Sequence, residues 1–527
     1  MGKSEGSGTD RRRFLRSTAA GAFGLAAGTQ PAAARATVAA GLPSSARVAK
    51  DSAAGLMADV AGSLGIECLA GGPGMEFSEE SAVSFAHGYA AVQGVPMMVL
   101  AEGEAGILRA APALRRALED RAPVLMVAAM ESQQAQLDLD GLMRSVTKWD
   151  ARAATAGDFV HAAARAYSVA MTAPRGPVLI AATFDASAGT DEKLPVPVVP
   201  APRIGEAAAV TEAARMLVDA ERPLILAGHH ARAQNAIDLL AELAEALQAP
   251  VESRGRLNFP GRHRLAGNGG PGYVPDVVLC LEADHAQTGA GIIRIASSSR
   301  GNDDGAFAIA ADAAAAMPHL IEAVKQCVTA GRARVMDARG VRLAAAHRSI
   351  RDQNVALARD AWEAGTVNAA RIAAELWMLL EGEDWSLVSP QGSVENWPSR
   401  LWDMKTPYNA PVAVAAEGSG LFVSTGAAMA NRKHGRVSLG IHTEQEFLAA
   451  PRALETAARY RIPLLTIVQS EGTATVDCAR IATGFGVAAE GPIAEARGLA
   501  AAFRRGVERA KKGEPALLHV VRASMPS

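Results

Sequence analysis

Aromatic side chains are scarce. Twelve Phe, six Trp and five Tyr make up 4% of 527 residues. Ala and Gly take their place, which points to an α/β chain whose layers pack through small side chains. Cysteine is rarer still. Cys68, Cys280, Cys327 and Cys478 lie far apart with no CxxC, which excludes a disulfide framework and a thiolate zinc site. Neither sign of charge dominates: 53 Lys and Arg face 55 Asp and Glu, a net charge of -2. That balance excludes the broad basic face that grips nucleic acid. No apolar run beyond the N-terminus reaches the length of a membrane span, so stable membrane insertion is not expected. The length itself exceeds one ordinary core and predicts several domains.

The N-terminus reads as an address. Arg11-Arg12-Arg13-Phe14-Leu15-Arg16 precedes an uncharged small-residue stretch from Ser17 to Gly28, and Ala34-Arg35-Ala36 supplies small residues for a signal peptidase. The arginine pair resembles a twin-arginine signal. Residues 1–36 are therefore read as a signal peptide, with the twin-arginine export machinery as a partner and a periplasmic or secreted mature chain.

The remainder divides into blocks. From 45 to 193, short apolar runs (Met97–Leu100, Val124–Val127, Val178–Ala181) alternate with helical patterns, the sign of βαβ units and a parallel sheet. A proline-rich connector, 194–203, reads as a stiff, extended linker. A middle domain is expected over 204–335, with Pro223–Gly228 and Val277–Leu281 as strands and Ala236–Leu247 as a helix. His229-His230 follows the first of these strands. It reads as an exposed loop pair, the other reading being the wall of a ligand crevice. A last domain is expected over 368–525, with strands at Trp385–Val388, Val437–Ile441, Pro463–Val468 and Pro515–Val521. The first and last blocks share one rhythm, which predicts two related α/β domains around a middle one.

Glu79-Glu80-Ser81-Ala82-Val83-Ser84-Phe85-Ala86-His87-Gly88-Tyr89-Ala90 resembles the pyrimidine-domain motif of thiamine-diphosphate enzymes, of the acetolactate synthase and benzoylformate decarboxylase kind. Ser145–Asp150 and Ala173–Val178 are similar to stretches of that group's N-terminal domain, and Asn431 through Glu471 to its pyrophosphate domain. The resemblance implies three parallel-sheet domains: pyrimidine-binding-like, middle Rossmann-like and pyrophosphate-binding-like. It also implies thiamine diphosphate with Mg²⁺ as cofactor, a small-molecule substrate and a homodimer or homotetramer. It assigns Glu79 the catalytic role, a hydrogen bond to the aminopyrimidine that activates the cofactor. A buried carboxylate whose pKa rises by desolvation suits that role. From residues alone, Glu79 and Glu80 read equally as a dipole-favoured helix start capped by Ser78. The family places a helix and a strand between its first glycine loop and this glutamate. Here only Met75–Ser78 separate Gly71–Gly74 from it.

In the last block the family binds diphosphate with a Gly-Asp-Gly segment and a later Asn around the metal. The matching positions are Thr443-Glu444-Gln445 and Glu471, with Thr473 as the carbonyl donor. The resemblance thus implies Glu444, Glu471 and Thr473 at the metal and Gly418, Ser419, Gly420, Glu444, Gln445 and Glu471 at the cofactor. Two longer carboxylates could still hold a divalent cation, but they place one extra negative charge beside an anionic diphosphate, and an unpaired like-charge contact near 4 Å costs on the order of 4 kcal/mol. Two functions follow. One is a carbon–carbon lyase or transferase acting on a 2-oxo acid or related carbonyl compound. The other is a non-catalytic exported descendant of the fold, acting in binding or assembly.

Overall fold

The computed structural model describes residues 53–523, except 73–75, 131–138, 185–191, 284–288, 299–304, 390–393, 413–417 and 473. The signal-like N-terminus lies outside the described residues.

The first domain runs α1 (Ala53–Ser63), β1 (Cys68–Ala70), α2 (Glu79–Gln93), β2 (Met98–Glu102), α3 (Gly103–Glu119), β3 (Leu125–Ala129), α4 (Leu139–Val146), β4 (Trp149–Ala153), α5 (Ala156–Met171), β5 (Val178–Ala182). The middle domain runs α6 (Ala207–Asp219), β6 (Pro223–Ala227), α7 (Gln234–Leu247), β7 (Val251–Ser253), β8 (Val277–Leu281), β9 (Gly291–Ala296), β10 (Phe307–Ala310), α8 (Ala313–Cys327). A 34-residue helix, α9 (Ala330–Glu363), crosses to the third domain. That domain runs α10 (Ala369–Leu380), β11 (Trp385–Leu387), α11 (Trp397–Leu401), α12 (Gly420–Arg432), β12 (Val437–Thr443), α13 (Glu444–Ala449), α14 (Ala453–Arg459), β13 (Leu464–Glu471), α15 (Cys478–Gly484), β14 (Ala488–Ile493), α16 (Ala496–Lys511), β15 (Ala516–Arg522).

Each domain holds one five-stranded sheet, and every strand pairing is parallel. The orders are β1-β2-β3-β5-β4, β10-β9-β8-β6-β7 and β11-β12-β13-β15-β14. The first and third orders are the same permutation, so the shared rhythm of those blocks is a shared topology. Strands such as Leu125–Ala129 and Leu464–Glu471 are buried along most of their length because helices cover both faces of a parallel sheet. Among the described residues no helix is long and apolar enough to cross a membrane.

The first and third domains share one apolar cluster. Phe77, Phe85 and Tyr89 of the first pack with Leu421, Phe422 and Phe447 of the third. The Phe77 ring lies 5.6 Å from Phe85 and 5.9 Å from Phe422. At its centre α2 crosses α12 with nothing between the backbones. A Cβ on Gly88 would stand 1.9 Å from the Val423 carbonyl oxygen, and one on Gly426 would stand 2.0 Å from that of Phe85. Half of the six tryptophans, Trp377, Trp385 and Trp402, gather beneath the third sheet, with the closest centroids 5.2 Å apart.

Candidate functional site

Glu79 opens α2, capped by Ser78, whose hydroxyl accepts from the Ser81 N–H. The short connection from β1 is absorbed by a tight return. Gly71 forms a bridge with Phe77, and the Gly72 N–H donates to the Phe77 carbonyl at 3.0 Å. Glu79 is thereby delivered directly beside the end of β1, with its α-carbon 3.0 Å from where a Gly71 Cβ would stand. The helix-start reading and the burial expected of a functional carboxylate both hold, since Glu79 is 1% exposed.

The expected direction of its pKa does not hold. Arg109 on α3 donates to both carboxylate oxygens, Nε to Oε2 at 2.8 Å and Nη2 to Oε1 at 2.6 Å. Those hydrogen bonds outweigh desolvation and hold the Glu79 carboxyl below its ordinary range. Seven residues on, Arg116 reaches the start of both facing helices: Nη1 lies 3.2 Å from Glu80 Oε1 and 3.1 Å from Ser419 Oγ. Ser419 is buried and precedes α12, Gly420 is its first residue, and Gly418 turns with φ +80° into open space. The Ser419 side chain makes no capping bond to its own helix. The structure therefore places the start of α2, with Glu79 held by Arg109, and the start of α12, with Ser419 and Gly420, at one junction between the first and third domains, bridged by Arg116.

The diphosphate end is built differently from the expectation. Thr443 and Glu446 form a capping box: the Thr443 N–H donates to Glu446 Oε2 at 2.8 Å and the Glu446 N–H to Thr443 Oγ1 at 3.2 Å. Glu444 accepts from the hydroxyls of Ser470 and Thr475, one on each oxygen. The His519 Nε2 lies 2.7 Å from Ser470 Oγ. Burial works against ionisation of Glu444, but those two hydroxyls and His519 more than offset it, and its pKa falls. Gln445 points from the helix surface, exposed.

The metal pair does not form as expected. Adjacent side chains on a strand leave opposite faces. Ser470 is buried on the face that meets Glu444, so Glu471 is turned away, exposed, with Oε2 3.8 Å from Arg522 Nη2. Thr473 lies outside the described residues. Among the described residues no group of three or more His, Cys, Asp or Glu could hold a metal ion. Nor does the site fit a diphosphate. Two carboxylates, Glu444 and Glu446, start α13, no Lys or Arg among the described residues pairs with either, and the N–H groups of Thr443 and Glu446 are already bound to side chains.

His229 and His230 are not an exposed pair. His230 is buried, and its Nε2–H donates to the Ala236 carbonyl at 3.0 Å. His229 lies 3.8 Å from Asp120, which itself pairs with His87 at 2.8 Å, both fully inside. They line a cavity of about 520 Å³ with Arg121, Arg175, Arg203 and Arg232. The sequence reading missed Arg109, Arg116, Ser470 and Thr475. The two arginines carried a signal, seven residues apart on one helix face; the hydroxyls carried none.

Residues 76–151 match the thiamine pyrophosphate enzyme N-terminal TPP binding domain and residues 210–276 the thiamine pyrophosphate enzyme central domain. The chain's first two domains are thus similar to the N-terminal and central domains of thiamine pyrophosphate enzymes. It is 29% identical over 201 residues to a benzoylformate decarboxylase of Pseudomonas aeruginosa, 35% of this chain and 38% of that protein. It is 25% identical over 197 residues to the mitochondrial acetolactate synthase catalytic subunit of Aspergillus candidus, 33% of this chain and 28% of that one. These matches span well under half of either relative. In fold the likeness runs further. The thiamine diphosphate-dependent 4-hydroxybenzoylformate decarboxylase of Rhodococcus jostii RHA1 superposes with a TM-score of 0.68 at 18% identity, covering 89% of this chain and 99% of that one.

Proposed function

We propose that this chain keeps the fold of the thiamine pyrophosphate enzymes while acting as a binding or assembly protein that does not depend on Mg²⁺-anchored thiamine diphosphate. The first turn of α13 carries the reading. The N–H groups of Thr443 and Glu446 are taken up by their capping box, and the Glu444 carboxylate occupies the hydroxyls of Ser470 and Thr475. A bound diphosphate would meet negative charge where it needs donors.

A second reading keeps the family's chemistry: a carbon–carbon lyase or transferase acting on a 2-oxo acid or related carbonyl compound. It is favoured by Glu79, buried at the start of α2, and by Arg109, whose side chain is 43% exposed and has room to turn away. Calorimetric titration of the full chain with Mg²⁺–thiamine diphosphate separates the two. The first reading expects no saturable heat. Saturable binding abolished by Glu444→Ala establishes the second.

The proposal includes export and self-association. Changing Arg11-Arg12 to Lys-Lys should leave the precursor in the cytoplasm, and normal arrival in the periplasm would refute that part. A homodimer or homotetramer is expected, and sedimentation at micromolar concentration showing only monomer would refute it.

A further inference from the structure

A second cavity, of about 760 Å³, lies away from Glu79 and Ser419, between the middle domain and the start of the third. Its roof is the segment after β7, its side wall is the central part of α9, and its floor is α11 with the residues that follow. The volume falls in the range of small-molecule pockets, roughly 300–1,000 Å³. The apolar part of the lining comes from Leu257 and Phe259 of the roof and Leu401, Trp402 and Met404 of the floor.

The polar lining is strongly one-sided. Arg256, Arg262, Arg351 and Arg400 line the cavity against a single acid, Glu252, which is held by Arg254 at 2.8 Å. Asp403 stands beside the cavity and answers Arg262 at 3.7 Å and Lys405 at 2.8 Å. Arg400 is parked over the Trp397 ring and Arg262 over Trp377. Arg351 has no ion-pair partner among the described residues. It faces the like charge of Arg262, with Asp403 and Asp352 the acids acting on it.

Donors are also left over inside. Arg256 is 4% exposed, yet its buried Nε has no hydrogen-bond partner, its Nη2 being spent on the Pro411 carbonyl at 2.8 Å. The Nε of Arg262 is likewise buried and unpartnered. His347 gives Nδ1 to the Ala266 carbonyl at 3.0 Å and leaves a buried Nε2 without a partner. Buried polar groups of this kind cost stability unless something answers them.

We propose that this cavity binds a small organic carboxylate with an apolar body. The carboxylate would sit among Arg262, Arg351 and His347, and the apolar body against Phe259, Trp402 and Met404. A bare inorganic anion would leave the apolar half unfilled, and a neutral compound of the same shape would leave the guanidinium groups unanswered. This inference is independent of the cofactor question, since neither Glu79, Ser419 and their arginines nor any residue of α13 lines the cavity.

Titration of the full chain with benzoate, followed by tryptophan fluorescence and calorimetry, tests it, with benzamide and inorganic phosphate titrated alongside. Benzoate should bind saturably, and benzamide and phosphate at least tenfold more weakly. Arg351→Met should weaken benzoate at least tenfold, and Arg351→Lys less. Asn354→Asp, which places a negative charge on the same wall with little change of shape, should weaken it as well. Arg480→Met, at an exposed position far along the third domain, should leave it unchanged. The proposal fails if benzoate does not saturate, if benzamide or phosphate matches it, or if Arg351→Met and Asn354→Asp bind as tightly as the parent chain.

Discussion

Arg109 holds Glu79 by both carboxylate oxygens, at 2.8 and 2.6 Å, where the family resemblance calls for a carboxylate open to a ring nitrogen. A two-pronged pair to a buried carboxylate is strong, and deleting its cation strands the remaining charge. Arg109→Gln should lower stability by about 2–3 kcal/mol at neutral pH. It should also raise the Glu79 pKa, because desolvation would then act unopposed. The loss should shrink as pH falls towards 5 and Glu79 takes a proton. Denaturant unfolding at pH 5 and pH 8 measures this, and an equal loss at both would contradict it.

The glycine crossing of α2 and α12 makes a steric prediction. Gly88→Ala or Gly426→Ala would drive a methyl into a carbonyl oxygen that belongs to a helix backbone and has nowhere to go. Each should cost about 3 kcal/mol or more. Gly382→Ala, which meets open space, should change little. Thermal melts of the three variants decide the matter.

Glu444 and Glu471 should behave unlike each other. Glu444→Ala leaves the Ser470 hydroxyl, buried and next to His519, without its acceptor, and about 1–2 kcal/mol of stability should be lost. Glu471→Ala removes only an exposed neighbour of Arg522 and should stay within about 0.5 kcal/mol of the parent. Similar losses from both would imply that they act together after all.

His229 predicts an acid-side weakness. Burial, then the charge of Arg121, pushes its pKa down to about 4, while Asp120 pulls the other way and Arg232 and Arg256 reinforce the fall. Above an ordinary histidine pKa of about 6.5 the ring is neutral folded or unfolded, and its full contribution is present. Between about 6.5 and 4 the unfolded chain takes the proton first, so stability falls by up to about 3 kcal/mol across that window. His229→Gln should flatten this part of the stability–pH profile, as read from denaturation midpoints between pH 4 and 7.

Much of the fold was legible in the sequence because parallel strands are apolar runs with punctuated ends. Met97–Leu100, Val124–Val127 and Val178–Ala181 all fall on strands, as do Pro223–Ala227, Val277–Leu281 and Val437–Ile441. What escaped was structure without that signature. Trp149–Ala153 carries two charged residues in five positions, being the edge of its sheet, and α9 is long, polar and weakly patterned. At the site, the position of Glu79 was legible but its state was not, because Arg109 lies thirty residues away on another helix. The separation of Glu444 from Glu471 was set by strand alternation: with Ser470 turned inward to Glu444, the next residue must face out.

Helices that touch backbone to backbone at Gly88 and Gly426 have no layer of side chains between them to slide or shear. The first and third domains are in this sense a single mechanical part, and prising them apart would break the contact outright. The parts that can turn at that seam are side chains, and two of them, Arg109 and Arg116, tie its helix ends together: Arg109 holds the start of α2, and Arg116 links it to the start of α12.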